Sequence, residues 1–195
     1  EALLKVASTG KLRVIEDAAH AFGSYYKNKK IGSFGDLTCF SFDPIKNITC
    51  GEGGAVVTAD KQIAELIYKK RILGIDRDTW SRYKHQRDWF YDVTTQGFRY
   101  HMSNINAAIG ITQLKKLDGF INRKKEIVKK YDEAFQGIRS VKLLKRDYVS
   151  CAPFHYVIKV RNDREELRNY LKEAKIDSGV HYIPNHLQPF FSKFK

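Results

Sequence analysis

The stretch FSFDPIKNITCGEGGAVVTAD runs from Phe40 to Asp60, and the reading of the whole chain starts there. An aromatic-serine-aromatic triplet leads into a polar loop that carries one lysine, Lys46. A glycine-rich turn and a β-branched run follow. Side chains alternate across a strand, so Ser41 is predicted to point away from Phe40 and Phe42, toward a polar side. The segment "GGAVVTA" predicts a second strand. A solvated lysine needs no loop between two strands. A lysine that must reach a buried reactive carbon does, because such a loop can aim and partly desolvate the amine. "GEGG" has neither the P-loop pattern nor GxGxxG spacing and reads as a turn.

Upstream, "LRVIEDAA" predicts a short apolar strand ending in two acids, followed by the turn-rich segment "AFGSYYKNKKIGSFGD". Asp17 lies at that strand's C-terminal end, where open α/β sheets bind ligands. The alternative is a helix-capping acid, since "DAAH" can begin a helical turn. His20, three residues on, faces the same side if the turn is helical; alone it reads as a structural histidine. Ser41 offers a hydroxyl for a phosphate. Lys46 suits a phosphate or an aldehyde, and Asp17 suits a protonated ring nitrogen of an electron-sink cofactor. The residue types fit that chemistry; the spacing does not prove it.

The composition sets bounds. The chain has 195 residues, 43% of them hydrophobic, enough to bury a core. No run approaches the ~20 apolar residues of a membrane span, and no secretory leader is legible. Met102 is the single methionine, so the sequence reads as a piece of a longer protein. Cys39, Cys50 and Cys151 lack metal or disulfide spacing and fit a reducing, cytoplasmic setting, with Cys50 read as packing. The formal charge of +13 is spread along amphipathic segments such as "NRKKEIVKK". That is a solvated surface more than a phosphate-binding stripe.

Elsewhere, Leu3–Ala7 reads as a helix end stopped by Gly10. Asp60 is predicted to cap a helix reaching about Leu73, with Ile63, Leu66 and Ile67 inward. Residues 74–100 read as a long loop. Ser103 is predicted to cap a long helix whose stripe runs Leu114, Leu117, Ile121, Val128, Tyr131, Phe135, with Gly110 and Gly119 as weak points. Then come strands "SVKLL" and "FHYVIKV", a helix from about Asp163 to Ala174, and a strand "SGVHYI", a small α+β unit.

"VIEDAAHAFGSYYKNKKIGSFGDLTCFSFDPIKNITCGEGGAVVTAD", "GFRYHMSNINAAIGITQLKKLD" and "GVHYIPNHLQPFF" together closely resemble the DegT/DnrJ/EryC1/StrS sugar aminotransferases. The resemblance covers almost the whole chain. It implies an α/β fold, part of pyridoxal-phosphate fold type I. Residues 1–112 would be a partial large domain, 113–137 a linking helix and 138–195 a partial small α+β domain. It implies pyridoxal 5′-phosphate as cofactor. Lys46 matches the lysine that bonds the cofactor aldehyde, Asp17 the acid at the pyridine nitrogen, His20 a residue near the ring hydroxyl and Ser41 a phosphate ligand. "GFRYHM" matches a segment usually written Gly-aromatic-Asn-Tyr-Arg-Met, which reaches a neighbouring subunit's phosphate. Here Arg99 and His101 replace the Asn and the Arg. His181, Tyr182 and His186 match a substrate-side loop.

A dehydratase branch has histidine in place of the lysine, so Lys46 favours transamination. The resemblance implies amino transfer from an amino acid such as L-glutamate to a nucleotide-linked keto-deoxysugar, in a cytoplasmic homodimer with shared sites. "KNITCGEGG" is especially like enzymes making 4-amino sugars. Family members extend before residue 1, and the missing part carries a phosphate turn and a ring-stacking aromatic. Residues 1–195 alone are therefore expected to bind cofactor weakly. Two other readings stand beside this one. The first is a non-catalytic cofactor-binding or regulatory protein of the same fold. The second is a nucleic-acid-binding module, motivated by charge alone and lacking any recognition motif.

Overall fold

The computed structural model describes residues 1–76 and 91–194. The long loop read over 74–100 falls partly on 77–90, which lie outside the described residues. Two compact units form, one from 1–131 with 146–156, the other from 132–145 with 157–195.

In the first unit, α1 (Ala2–Thr9) ends at Gly10, whose N–H donates to the Val6 carbonyl. β1 (Ile15–Asp17) pairs in parallel with β4 (Leu37–Ser41), Asp17 opposite Cys39. β5 (Gly54–Val57) pairs antiparallel to β4, giving the order β1-β4-β5. Between β1 and β4 the chain makes a small hairpin of β2 (Tyr25–Tyr26) and β3 (Lys29–Lys30). Asp36 staples the start of the parallel pair. Its carboxylate accepts from the Val14 N–H at 2.6 Å and from Arg13 at 3.0 Å. The Val14 amide, helped by the Arg13 guanidinium, holds that carboxyl below its ordinary range.

The predicted alternation holds in β4. Thr38 and Phe40 are buried, and the Phe22 ring meets Phe40 and Phe42 edge-on at 5.1 and 5.2 Å. Ser41 is left on the other side. The core joins Ile48, Leu117, Ile121 and Ala152, with Phe22 and Phe42 against it.

α2 (Lys61–Lys70) starts where expected: the Asp60 carboxylate accepts from the Gln62 and Ile63 N–H groups. It stops short of Leu73. That residue adopts φ 61°, and its N–H donates to the Phe98 carbonyl. The chain there gives its hydrogen bonds to the 98–100 segment instead of to another helical turn. Ile63 and Ile67 are half-buried, whereas Leu66 is exposed.

α3 (Asn104–Phe135) is capped by Ser103, whose hydroxyl accepts from the Asn106 N–H at 3.2 Å. The helix runs through both glycines. A Cβ on Gly110 would lie 3.3 Å from the Cys50 Cβ, so this glycine lets the helix approach the loop. Gly23, at φ 87°, plays the same part opposite α3: a Cβ there would meet the Ile121 Cδ1 at 2.5 Å. Of the expected stripe, Leu117, Ile121 and Val128 are buried, while Leu114 and Tyr131 are exposed. Leu117 and Ile121 join Ile48 and Ala152 in the core cluster.

In the second unit, β6 (Val141–Leu143) pairs antiparallel with β7 (Ile158–Val160), and α4 (Arg164–Glu173) follows. Residues 154–156 do not extend β7, because 146–156 pack with the first unit. The strand expected over 178–183 is absent. A strand needs an edge to take its N–H and C=O groups, and among the described residues β6 and β7 pair only with each other. Short 3-10 turns at Asn185–Leu187 and Pro189–Phe194 close the described chain. No helix among the described residues is long and apolar enough to cross a membrane.

Candidate active site

The parallel pair brings the C-terminal ends of β1 and β4 to one edge. Asp17 ends β1, and the Ala18 N–H donates to the Cys39 carbonyl at 2.9 Å, holding the exit of β1 on β4. The Asp17 carboxylate accepts from the Ala19 N–H, and the Ala21 N–H donates to Ala18, turning the chain at His20. Ser41 ends β4. Its hydroxyl accepts from the Asp43 N–H at 3.3 Å. The Asp43 carboxylate accepts from Ile45, and the Lys46 N–H donates to the Asp43 carbonyl. These local bonds curl the loop so that Lys46 returns toward the edge.

There Lys46 Nζ lies 2.9 Å from His20 Nε2. Two nitrogens at that distance share one proton, so one of them offers a lone pair. Lys46 is half-buried. Its amine sits 4.9 Å from the centroid of Phe154, and the same ring stacks on His20 at 4.0 Å and 27°.

The loop is anchored by its next residue. Asn47 is 6% exposed. Its amide donates to the Phe22 carbonyl at 3.0 Å, and its oxygen accepts from Lys124 Nζ at 2.9 Å. Burial pushes the Lys124 amine below its ordinary value of 10.5. The unfolded chain therefore binds more protons between that lowered value and 10.5. Stability is expected to rise with pH across this window, and Lys124→Met should flatten the rise in urea titrations at stepped pH.

Asp17, His20, Ser41 and Lys46 thus gather at one sheet edge. Arg99 and His101 follow a different course. The 98–100 segment runs beside the end of α2, with Phe98 and Tyr100 N–H groups donating to Lys70 and Arg71 carbonyls. His101 helps line a cavity of about 730 Å³ with Phe40, Val56, Ile67 and Phe98. The walls of that cavity include none of Asp17, His20, Ser41 and Lys46. His181, Tyr182 and His186 belong to the second unit and are exposed there, the His181 and Tyr182 rings meeting edge to face at 4.7 Å. Cys50 is fully buried and its thiol donates to the Glu52 carbonyl, with burial pushing the thiol up; it is a packing residue.

Sequence reasoning missed Phe154, Asn47 and Lys124. Asn47 carried one signal, its place beside Lys46. Phe154 and Lys124 carried none, since each reaches the site through tertiary packing.

The donor set suits pyridoxal 5′-phosphate. A half-buried primary amine matches an aldehyde, a carboxylate at a strand end matches a pyridine nitrogen, and a hydroxyl at the neighbouring strand end matches a phosphate. Among the described residues, no group of His, Cys, Asp and Glu could hold a metal ion.

Comparison with known proteins bears on the same question. Spore coat polysaccharide biosynthesis protein SpsC of Bacillus subtilis is 38% identical over 99% of this chain and 51% of its own length. GDP-perosamine synthase of Escherichia coli O157:H7 is also 38% identical, over 99% of this chain and 50% of that protein. The chain thus spans about half the length of the curated relatives it matches. Among solved structures, the PMP-form of the putative sugar aminotransferase Spr1654 from Streptococcus pneumoniae superposes with a TM-score of 0.82 at 30% identity. It covers 94% of this chain and 48% of that one. The same protein has been solved in its PLP-form. The expected α/β fold, part of fold type I, is the fold of these PLP-dependent sugar aminotransferases. The profile of the DegT/DnrJ/EryC1/StrS aminotransferase family matches residues 1–195. On sequence and fold together, this chain belongs to that family.

Proposed function

We propose that the protein moves an amino group from an amino acid, L-glutamate, to a keto-deoxysugar carried on a nucleotide, using pyridoxal 5′-phosphate. The observation that carries this reading is the Lys46 amine, held 2.9 Å from His20 at the edge where Asp17 and Ser41 end their strands. When bound, the cofactor supplies an electron sink for the charge left on a substrate carbon that loses its proton.

The residues divide the remaining work. Asp17 holds a proton at the pyridine nitrogen. Ser41 offers its hydroxyl to the phosphate. Lys46 holds the cofactor through its amine and, once released, moves a proton at Nζ, with His20 Nε2 as its hydrogen-bond partner. Arg99 and His101 serve the phosphate of a neighbouring subunit in a homodimer, and His181, Tyr182 and His186 face the sugar nucleotide. The name of SpsC supports polysaccharide building as the setting, that of GDP-perosamine synthase supports a sugar carried on a nucleotide, and a cytoplasmic location fits nucleotide-linked substrates.

The test is the half-reaction. L-Glutamate added to the cofactor-loaded protein should bleach the visible band of the bound cofactor and release 2-oxoglutarate. A bound cofactor that responds to no amino acid would instead favour a binding or regulatory protein of this fold.

A further inference from the structure

We propose that Phe154 is a positioning residue of this site, clamping the His20 imidazole and walling the Lys46 amine so that the two nitrogens meet. The inference rests on the reading of Lys46 as the residue that bonds the cofactor. His20 is exposed on the turn after β1. Lys46 has four rotatable side-chain bonds and no fixed direction of its own. Phe154 touches both: it stacks on His20 at 4.0 Å, beside the edge-on His155 ring at 5.9 Å, and presents its face to Lys46 Nζ at 4.9 Å. A phenyl ring exchanges no proton, so its contribution is orientation and exclusion of water.

Phe154 is itself tied down. Just before it, the Ala152 N–H donates to the Ser24 hydroxyl at 2.9 Å, and Ala152 is 3% exposed in the core. The Tyr25 N–H donates to the Ser150 carbonyl at 2.8 Å, and Lys125 Nζ to the Val149 carbonyl at 2.6 Å. Pro153 stiffens the step between this anchor and the ring. The segment that returns from the second unit therefore sets the aim of a lysine that lies far earlier in the chain.

The full-length protein is tested as wild type, Phe154→Leu and Phe154→Tyr. Each is loaded with pyridoxal phosphate and reduced with borohydride, and the label on Lys46 is compared by peptide mass spectrometry with that on surface lysines of the same sample. Without cofactor, the initial rate of Lys46 acetylation is read against the same reference lysines. The leucine variant should lose about fivefold of the Lys46 label ratio, the size of effect an aromatic stack sustains, and its acetylation rate should change. The tyrosine variant, which keeps the ring, should restore both. Should Phe154→Leu lose its circular dichroism signature, Phe154→Met carries the same comparison. Label on Lys46 that is equal in wild type and leucine variant overturns the proposal alone. No label on Lys46 in the wild type overturns the Lys46 reading and the proposal with it.

Discussion

Lys46→Ala is expected to slow amino transfer by about four orders of magnitude, the usual scale for removing a residue that bonds the reacting centre. The chain has many other lysines, and none should substitute. Among the described residues, Lys46 is the lysine that the Ser41–Asp43 turn returns to the sheet edge, within 2.9 Å of His20. The loss should appear in both kcat and kcat/KM, since the proposed role puts the amine in the chemical step as well as in holding the cofactor. Stability should change little, because Lys46 is half-buried and its partners His20 and Phe154 remain stacked on each other. Rates of 2-oxoglutarate release, measured beside a urea titration, check both halves. A variant that retains a tenth of the wild-type rate would remove Lys46 from the mechanism.

Asn47→Ala should produce the largest stability loss at the site. Its side chain joins three parts of the first unit: the loop, the Phe22 segment and α3. Alanine would leave the Phe22 carbonyl and the Lys124 amine without this partner in a part-buried setting. A fully buried orphan costs about 1–3 kcal/mol; with both groups part-buried, a total of about 2 kcal/mol is expected. The urea midpoint should fall without a change in slope. The Lys46 label ratio should fall as well, because the anchor that follows Lys46 is gone. Adding Lys124→Met to Asn47→Ala should recover part of the loss, since one of the two orphans is then removed. An unchanged midpoint in Asn47→Ala would show that the loop is held elsewhere.

The parts of this molecule legible from sequence are those set by neighbours along the chain. Asp60 and Ser103 cap their helices because a cap is a contact over two or three residues. Ser41 faces away from Phe40 and Phe42 because strand alternation is local. Asp17, His20, Ser41 and Lys46 were named as candidates from residue type and resemblance. Their meeting at one edge depends on the β1–β4 pairing, which sequence periodicity does not specify. α2 ends before Leu73 because the Leu73 N–H bonds the Phe98 carbonyl instead of continuing the helix, a long-range contact that local pattern does not show. The last expected strand, 178–183, had a strand-like pattern but finds no edge among the described residues. Phe154 read as part of a strand. Its contact with His20 depends on how 146–156 return to the first unit.

Lys46 is proposed as the amine that holds the cofactor. Borohydride reduction of the protein loaded with pyridoxal phosphate, followed by peptide mapping, tests it most directly. One dominant pyridoxyl label is expected, on Lys46, lost in Lys46→Ala. A label spread over surface lysines in the full-length protein, with Lys46 unmodified, would contradict it.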